Sequence, residues 1–123
     1  MDEEPAAEIE TARTALADAR LLLDHGGSTE GVVNRLYYAC FHAARAALYS
    51  RGEQPRSHGG VRTQFGQVVV LAGDAPREHG KLLRDLSDYR SVAEYASRTP
   101  AVDTRPLLAD AEQFVDHAVS LVE

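Results

Sequence analysis

Asn34-Arg-Leu-Tyr-Tyr-Ala-Cys-Phe-His-Ala-Ala44 lies inside a longer stretch, Ser28 to Ser50, whose periodicity decides the fold. At about 100° per residue, Val33, Leu36, Tyr37, Cys40, Ala43, Ala44 and Ala47 fall on one side of a helix. Asn34, Arg35, Tyr38, His42, Arg45 and Tyr49 fall together on another. Ser28 or Thr29 can cap this helix, and Gly52 and Pro55 stop it. Its polar face carries cations, an amide, an imidazole and phenols but no acid. It is therefore either a polar face whose Tyr rings cover a neighbouring helix, or an anion site. Arg forks match phosphate geometry, and Tyr rings can stack on bases.

Gly and Pro cut the rest of the chain into similar lengths. Pro5 to about His25 has Ile9, Ala12, Leu16, Ala19 and Leu23 spaced by three and four, and Gly26-Gly27 ends it. Ser57 can cap a third helix ending near Gly73. Asp74 with Pro76 opens a fourth, to about Ser97, and Asp103 or Thr104 before Pro106 opens a fifth. Val68-Val-Val-Leu71 is strand-like but has no partner strand, so it is read as helical. The expectation is all-α: an antiparallel helical bundle of about five helices, one domain over residues 1–123.

The formal net charge of −6 argues at first against a nucleic-acid partner, but it is unevenly spread. Residues 1–30 carry eight acids against Arg13 and Arg20. Residues 31–98 carry ten Lys/Arg against six acids, and residues 99–123 carry five acids against Arg105. A basic middle lies between acidic ends.

Two further segments fall in that basic middle. Arg56-Ser-His-Gly-Gly-Val-Arg62 places two cations and His58 around a helix start whose glycines admit a ligand to backbone N–H groups. The plainer reading is a capped helix with a flexible entry. Arg90, with Glu94 one turn on and Tyr95 after it, stands at the edge of the stripe made by Leu83 and Leu86. It is either half of a surface ion pair or an Arg held for a ligand or a dimer mate.

Several classes are excluded. The lone Cys40 forbids an internal disulfide, and on a helix it points away from His42, so no Cys–His dyad forms. No Gly-x-Gly-x-x-Gly, Gly-x4-Gly-Lys-Ser/Thr or Gly-x-Ser-x-Gly occurs. The five His lack metal-ligand spacing, so neither a metal nor a cofactor is expected. The start, Met1 to Pro5, is acidic, unlike a secretory signal, and the longest apolar run is Leu36–Phe41. The expectation is a cytoplasmic protein with no membrane association.

The run Asn34–Ala44 resembles the second-helix signature of the HEPN-domain family (higher eukaryotes and prokaryotes nucleotide-binding). Ser57-His-Gly-Gly-Val61 followed by Phe65-Gly66, and Arg90-Ser-Val-Ala-Glu-Tyr95, are similar to two later motifs of that family, in order. The resemblance covers about Ala12 to Val115. It implies a HEPN-like bundle, a homodimer with its cleft near the dimer axis, and RNA or nucleotide as ligand. Many relatives are metal-independent ribonucleases acting as toxins, with a small nucleotidyltransferase as antitoxin. The family's catalytic motif is an Arg followed, after four to six residues, by a His. Arg90 matches the Arg, but Tyr95 stands four intervening residues on, and the next histidine is His117.

Two readings stay open. In one, Arg90 and Arg35 clamp phosphate while His42 or His58 supplies the imidazole for RNA cleavage. In the other, Asn34, Arg35, Tyr38, Arg45, Arg56, Arg62, Glu94 and Tyr95 bind RNA, nucleotide or a protein partner without chemistry.

Overall fold

A helix needs its first N–H groups satisfied, and three Ser or Asp side chains do this at the predicted places. Ser28 accepts from the Gly31 N–H, Ser57 from the Gly60 N–H, and Asp103 from the Arg105 N–H. The computed structural model describes residues 3–96 and 98–123. Within them the helices are α1 (Glu3–Asp24), α2 (Thr29–Tyr49), α3 (His58–Gln64), α4 (Arg77–Tyr95) and α5 (Thr104–Val122). No strand occurs among the described residues, and the fold is the expected all-α bundle. Met1, Asp2 and Ser97, which the sequence reading included in its acidic start and fourth helix, lie outside the described residues.

α2 is the central element. All seven of its predicted core residues are buried, and so are Val32, Ala39, Phe41, Ala46 and Leu48. The buried arc is wider than a one-sided stripe because α1 and α5 pack on one flank while α3 and α4 pack on the other. Alanines 12, 15 and 19 on α1 and 39, 43 and 46 on α2 are all buried, and side chains this small let helix axes approach closely. Between α1 and α2, Gly26 takes φ +75, and the Gly27 N–H donates to the Leu22 carbonyl at 2.6 Å. A Cβ on Gly27 would come within 2.9 Å of that carbonyl oxygen, so the turn requires glycine there.

Two boundaries differ from expectation. The third helix stops being α-helical after Gln64, and Phe65–Val70 continues as a π-helical segment. The Leu71 N–H donates to the Gly66 carbonyl and the Asp74 N–H to the Val69 carbonyl, both five residues back, at 2.9 Å. The β-branched run Val68–Val70, which reads as strand-like, favours the α-helix least, and the wider turn accommodates it. Asp74 does not cap α4, whose N-cap is Pro76. Its carboxylate instead pairs with Arg51 at 2.8 Å, and its carbonyl accepts from His117 Nε2 at 2.7 Å. The pairing ties the connection after α2 to the one before α4.

Candidate functional site

On α2, positions 34, 38, 41, 42 and 45 are spaced by three and four, so they form one surface. The chain returns twice to this surface, once through the start of α3 and once through the end of α4. The three sequence segments therefore meet in space.

Arg90 reaches in from α4. Its guanidinium lies 4.6 Å from the Tyr37 ring centroid and 5.9 Å from that of Tyr38, and Nη1 donates to the Tyr38 hydroxyl at 3.4 Å. Its ion pair with Glu94 exists, also at 3.4 Å, but is only part of its environment. The Arg90 Nε is buried and has no hydrogen-bond partner. Glu94 is in turn held by Asn34, whose Nδ2 donates to it at 3.3 Å. The Asn34 carbonyl oxygen accepts from Arg35 Nε and Nη2 at 3.0 and 2.8 Å, and the Arg35 guanidinium lies 5.5 Å from the Tyr38 centroid.

His58 comes from the first residue of α3. Its Nδ1 lies 2.6 Å from the Tyr37 hydroxyl, and its ring stacks on Phe41 with centroids 4.3 Å apart and planes 17° from parallel. Burial, and then the cations Arg90, Arg45 and Arg62 with His42, pushes the His58 pKa below its ordinary value. Burial pushes that of Tyr37 up, against an opposing pull from Arg90. The neutral forms are therefore favoured. A phenol that keeps its proton donates it to Nδ1, which leaves the imidazole proton on Nε2.

His42 lies on the other side of Phe41, with ring centroids 5.2 Å apart. Its Nδ1 is 2.6 Å from a carboxylate oxygen of Glu8 on α1, so Nδ1–H donates to that carboxylate and Nε2 faces away from it. The other Glu8 oxygen is 3.7 Å from Arg45, whose guanidinium also donates to the Tyr49 hydroxyl. The two imidazoles are thus held through Nδ1 by different partners, a phenol for His58 and a carboxylate for His42. A cleft of about 550 Å³ opens between α1 and α2 at Arg35, Tyr38 and His42.

Most predicted site residues belong to this surface. Asn34, Arg35, Tyr38, His42, Arg45, His58, Arg90 and Glu94 are joined by the contacts above, and the charge of Arg62 acts on His58 and Tyr37. Arg56 is exposed, outside the hydrogen bonds and ion pairs described above, and Tyr95 is 76% exposed. His117 is also elsewhere, its ring packed on His79 at 5.4 Å. The acid-free face of α2 is not acid-free in the fold, because α1 brings Glu8 and α4 brings Glu94.

Sequence reasoning missed three participants. Tyr37 reads as core and is fully buried, yet its hydroxyl holds His58. Phe41 separates the two imidazoles. Glu8 falls in the acidic first helix, where the charge pattern suggested no site. A Tyr rather than a Phe or Leu inside an apolar stripe was the available signal for Tyr37, since a buried phenol needs a partner. Cys40 is core, its thiol pKa pushed up by burial. Among the described residues no group of three His, Cys, Asp or Glu side chains is placed to hold a metal, and no helix is long and apolar enough to cross a membrane.

The model of the HEPN domain family matches residues 7–123. A protein of Methanocaldococcus jannaschii named "Putative toxin MJ0605" is 32% identical over 115 residues, covering 93% of this chain and 85% of its own length. A UPF0332 protein of Thermotoga maritima is 31% identical over 114 residues, 91% of this chain and 86% of its own. A UPF0332 protein of Pyrococcus horikoshii is 38% identical over 81 residues, 66% of this chain and 56% of its own.

Proposed function

The chain belongs to the HEPN domain family, and from that premise we propose that it is a toxin-type HEPN protein that binds RNA at the α2 surface and cleaves it without metal. The observation that carries this reading is the pair of imidazoles on one surface, each held through Nδ1 by a different partner. His42 and His58 flank Phe41, and the Arg90 guanidinium lies beside them over Tyr37 and Tyr38. Strand scission needs a base for the 2′-hydroxyl, a proton for the leaving 5′-oxygen, and positive charge for the phosphorane.

In this reading His42 Nε2 takes the 2′-hydroxyl proton while Glu8 fixes the ring. The 2′-oxygen attacks phosphorus, the bond from phosphorus to the 5′-oxygen breaks, and a 2′,3′-cyclic phosphate and a 5′-hydroxyl result. His58 protonates the leaving oxygen. Burial and then the surrounding cations lower its pKa, and a bound phosphodiester, by offsetting those cations, favours the protonated form that donates. Arg90 and Arg35 hold the phosphate. Glu8 is a positioning residue. The same reading extends to one domain over residues 1–123, a cytoplasmic homodimer and a nucleotidyltransferase partner that restrains the activity.

A second reading is favoured by Tyr95, which stands in the span after Arg90 where the family motif has its histidine. In it the surface binds RNA or nucleotide without chemistry. Labelled single-stranded RNA with purified protein in excess chelator separates the two. Cyclic-phosphate products, with the rate lowered about 100-fold or more in His42→Ala and Arg90→Ala, support cleavage. Binding that Arg90→Ala weakens, with no product, supports the second reading. Neither binding nor product overturns both.

A further inference from the structure

α4 begins with three cations on one face. Arg77, Lys81 and Arg84 are spaced i, i+4 and i+7, a stripe about 10.5 Å long at the α-helical rise. Across from them run α3 and the π-helical segment, and the groove between has a volume of about 810 Å³. Arg62 faces the stripe from the opposite wall, Gly59, Gly60 and Gly66 leave that wall without bulk, and no acidic residue lines the groove.

These charges are poorly matched by the protein itself. Lys81 is paired with Asp85 at 2.6 Å, but Arg62, Arg77 and Arg84 have no ion-pair partner among the described residues. The Arg62 Nε is also buried without a hydrogen-bond partner. A buried donor left unsatisfied is costly, so an acceptor brought by a ligand suits Arg62, while Arg77, Lys81 and Arg84 stand exposed across the groove from it. Val70 and Leu71 add an apolar edge, with Leu71 81% exposed.

We propose that this groove binds the phosphodiester backbone of single-stranded RNA beyond the phosphate held at the histidine cluster. It rests on the reading of that cluster as an RNA site and extends it to a second site with its own residues. A lone phosphate or mononucleotide would use one or two of these cations. A stripe about 10.5 Å long, repeating every turn, matches successive phosphates of a strand. Arg62 links the two sites, because it lines the groove and its charge also acts on His58 and Tyr37.

The test compares two probes, a dinucleoside monophosphate and a single strand about ten nucleotides long. The triple variant Arg77→Ala, Lys81→Ala, Arg84→Ala is measured beside Arg90→Ala, with helicity checked by circular dichroism. The triple variant is expected to bind the longer strand at least about tenfold more weakly, with a salt dependence shallower by about 2, and the dinucleoside unchanged. Arg90→Ala is expected to weaken both probes.

If the triple variant binds the longer strand as the parent does while Arg90→Ala fails, the groove proposal falls and the histidine-cluster reading stands. If only the triple variant fails, the groove stands and the cluster is not the RNA site. A parent protein that binds neither probe overturns both. A triple variant altered only in self-association, with RNA binding intact, also overturns the groove, because it makes those cations a contact between copies.

Discussion

The two flanks of α2 are built differently. On the α1/α5 flank, buried alanines and leucines fill the space between helices, and Arg20 of α1 meets Glu112 of α5 at 2.9 Å. On the α3/α4 flank, glycines occupy places where side chains could pack, and the Nε atoms of Arg62 and Arg90 are buried without partners. A protein's own charges are cheapest when paired or fully hydrated. The Arg20–Glu112 pair meets that condition within the chain. On the α3/α4 flank those two buried donors find no partner within the chain, so recognition draws mainly on this side, with Glu8 of α1 holding His42 from the other.

The largest effect should come from testing that division by stability. Leu16→Ala on α1 is expected to cost about 2–5 kcal/mol, whereas Arg84→Ala on α4 should stay within about 0.5 kcal/mol. Chemical denaturation of both variants measures this. A loss at Arg84 as large as that at Leu16 would break the comparison, since the groove cation would then be structural.

Much of this division was legible in the sequence, and the reason is local. Helix caps, glycine stops and the alternation of Val33, Leu36, Tyr37 and Cys40 with Asn34, Arg35 and Tyr38 are set by neighbours in the chain. Periodicity reads them directly. The basic middle also holds the three segments that the fold brings together, though not Glu8. What periodicity cannot carry is a partner many residues away. Glu8 meets His42 across 34 positions, and Arg90 reaches Tyr38 across 52. Wheel geometry placed Arg90 at a core margin without saying which rings it covers. The π-helical turn was hidden for another reason: the β-branched run Val68–Val70 disfavours the α-helix without saying what replaces it, and Phe65 and Val69 are both buried in the turn that does.

Two histidines sharpen the comparison further, because both are held below the ordinary imidazole pKa for partly different reasons. Burial comes first for each. For His58 the next contributions are Arg90 and Arg45, and for His79, near α5, the next is His117. Below about pH 6.5 the unfolded chain takes up protons at these positions that the folded chain resists. Stability is therefore expected to be full above that pH and to decline as pH falls toward the lowered folded values. Imidazole titration by NMR gives the finer result. Added inorganic phosphate should move the His58 midpoint upward, by offsetting the cations around it, and leave His79 in place. An equal response at both positions, or none at His58, would remove the claim that its flank is prepared for an anion.

The smallest expected effect is also the most diagnostic of what the second flank trades away. Gly80 lies in α4 beside Val70, on the wall of the cationic groove. A Cβ there would sit 3.5 Å from the Val70 Cγ2, an ordinary contact, so neither packing nor backbone strain requires glycine. Glycine within a helix is less stable than alanine by about 0.5–1 kcal/mol. Gly80→Ala should therefore stabilise the fold by about that much, raising Tm by roughly 2–4 °C, while its methyl group narrows the groove and weakens binding of the longer RNA strand. Calorimetry together with the oligonucleotide titration reads both sides. A stabilised variant with undiminished RNA binding would mean that the side chain missing from the α4 wall serves no ligand. Stabilisation with loss of binding means that this flank gives up packing in order to keep a path open for a strand.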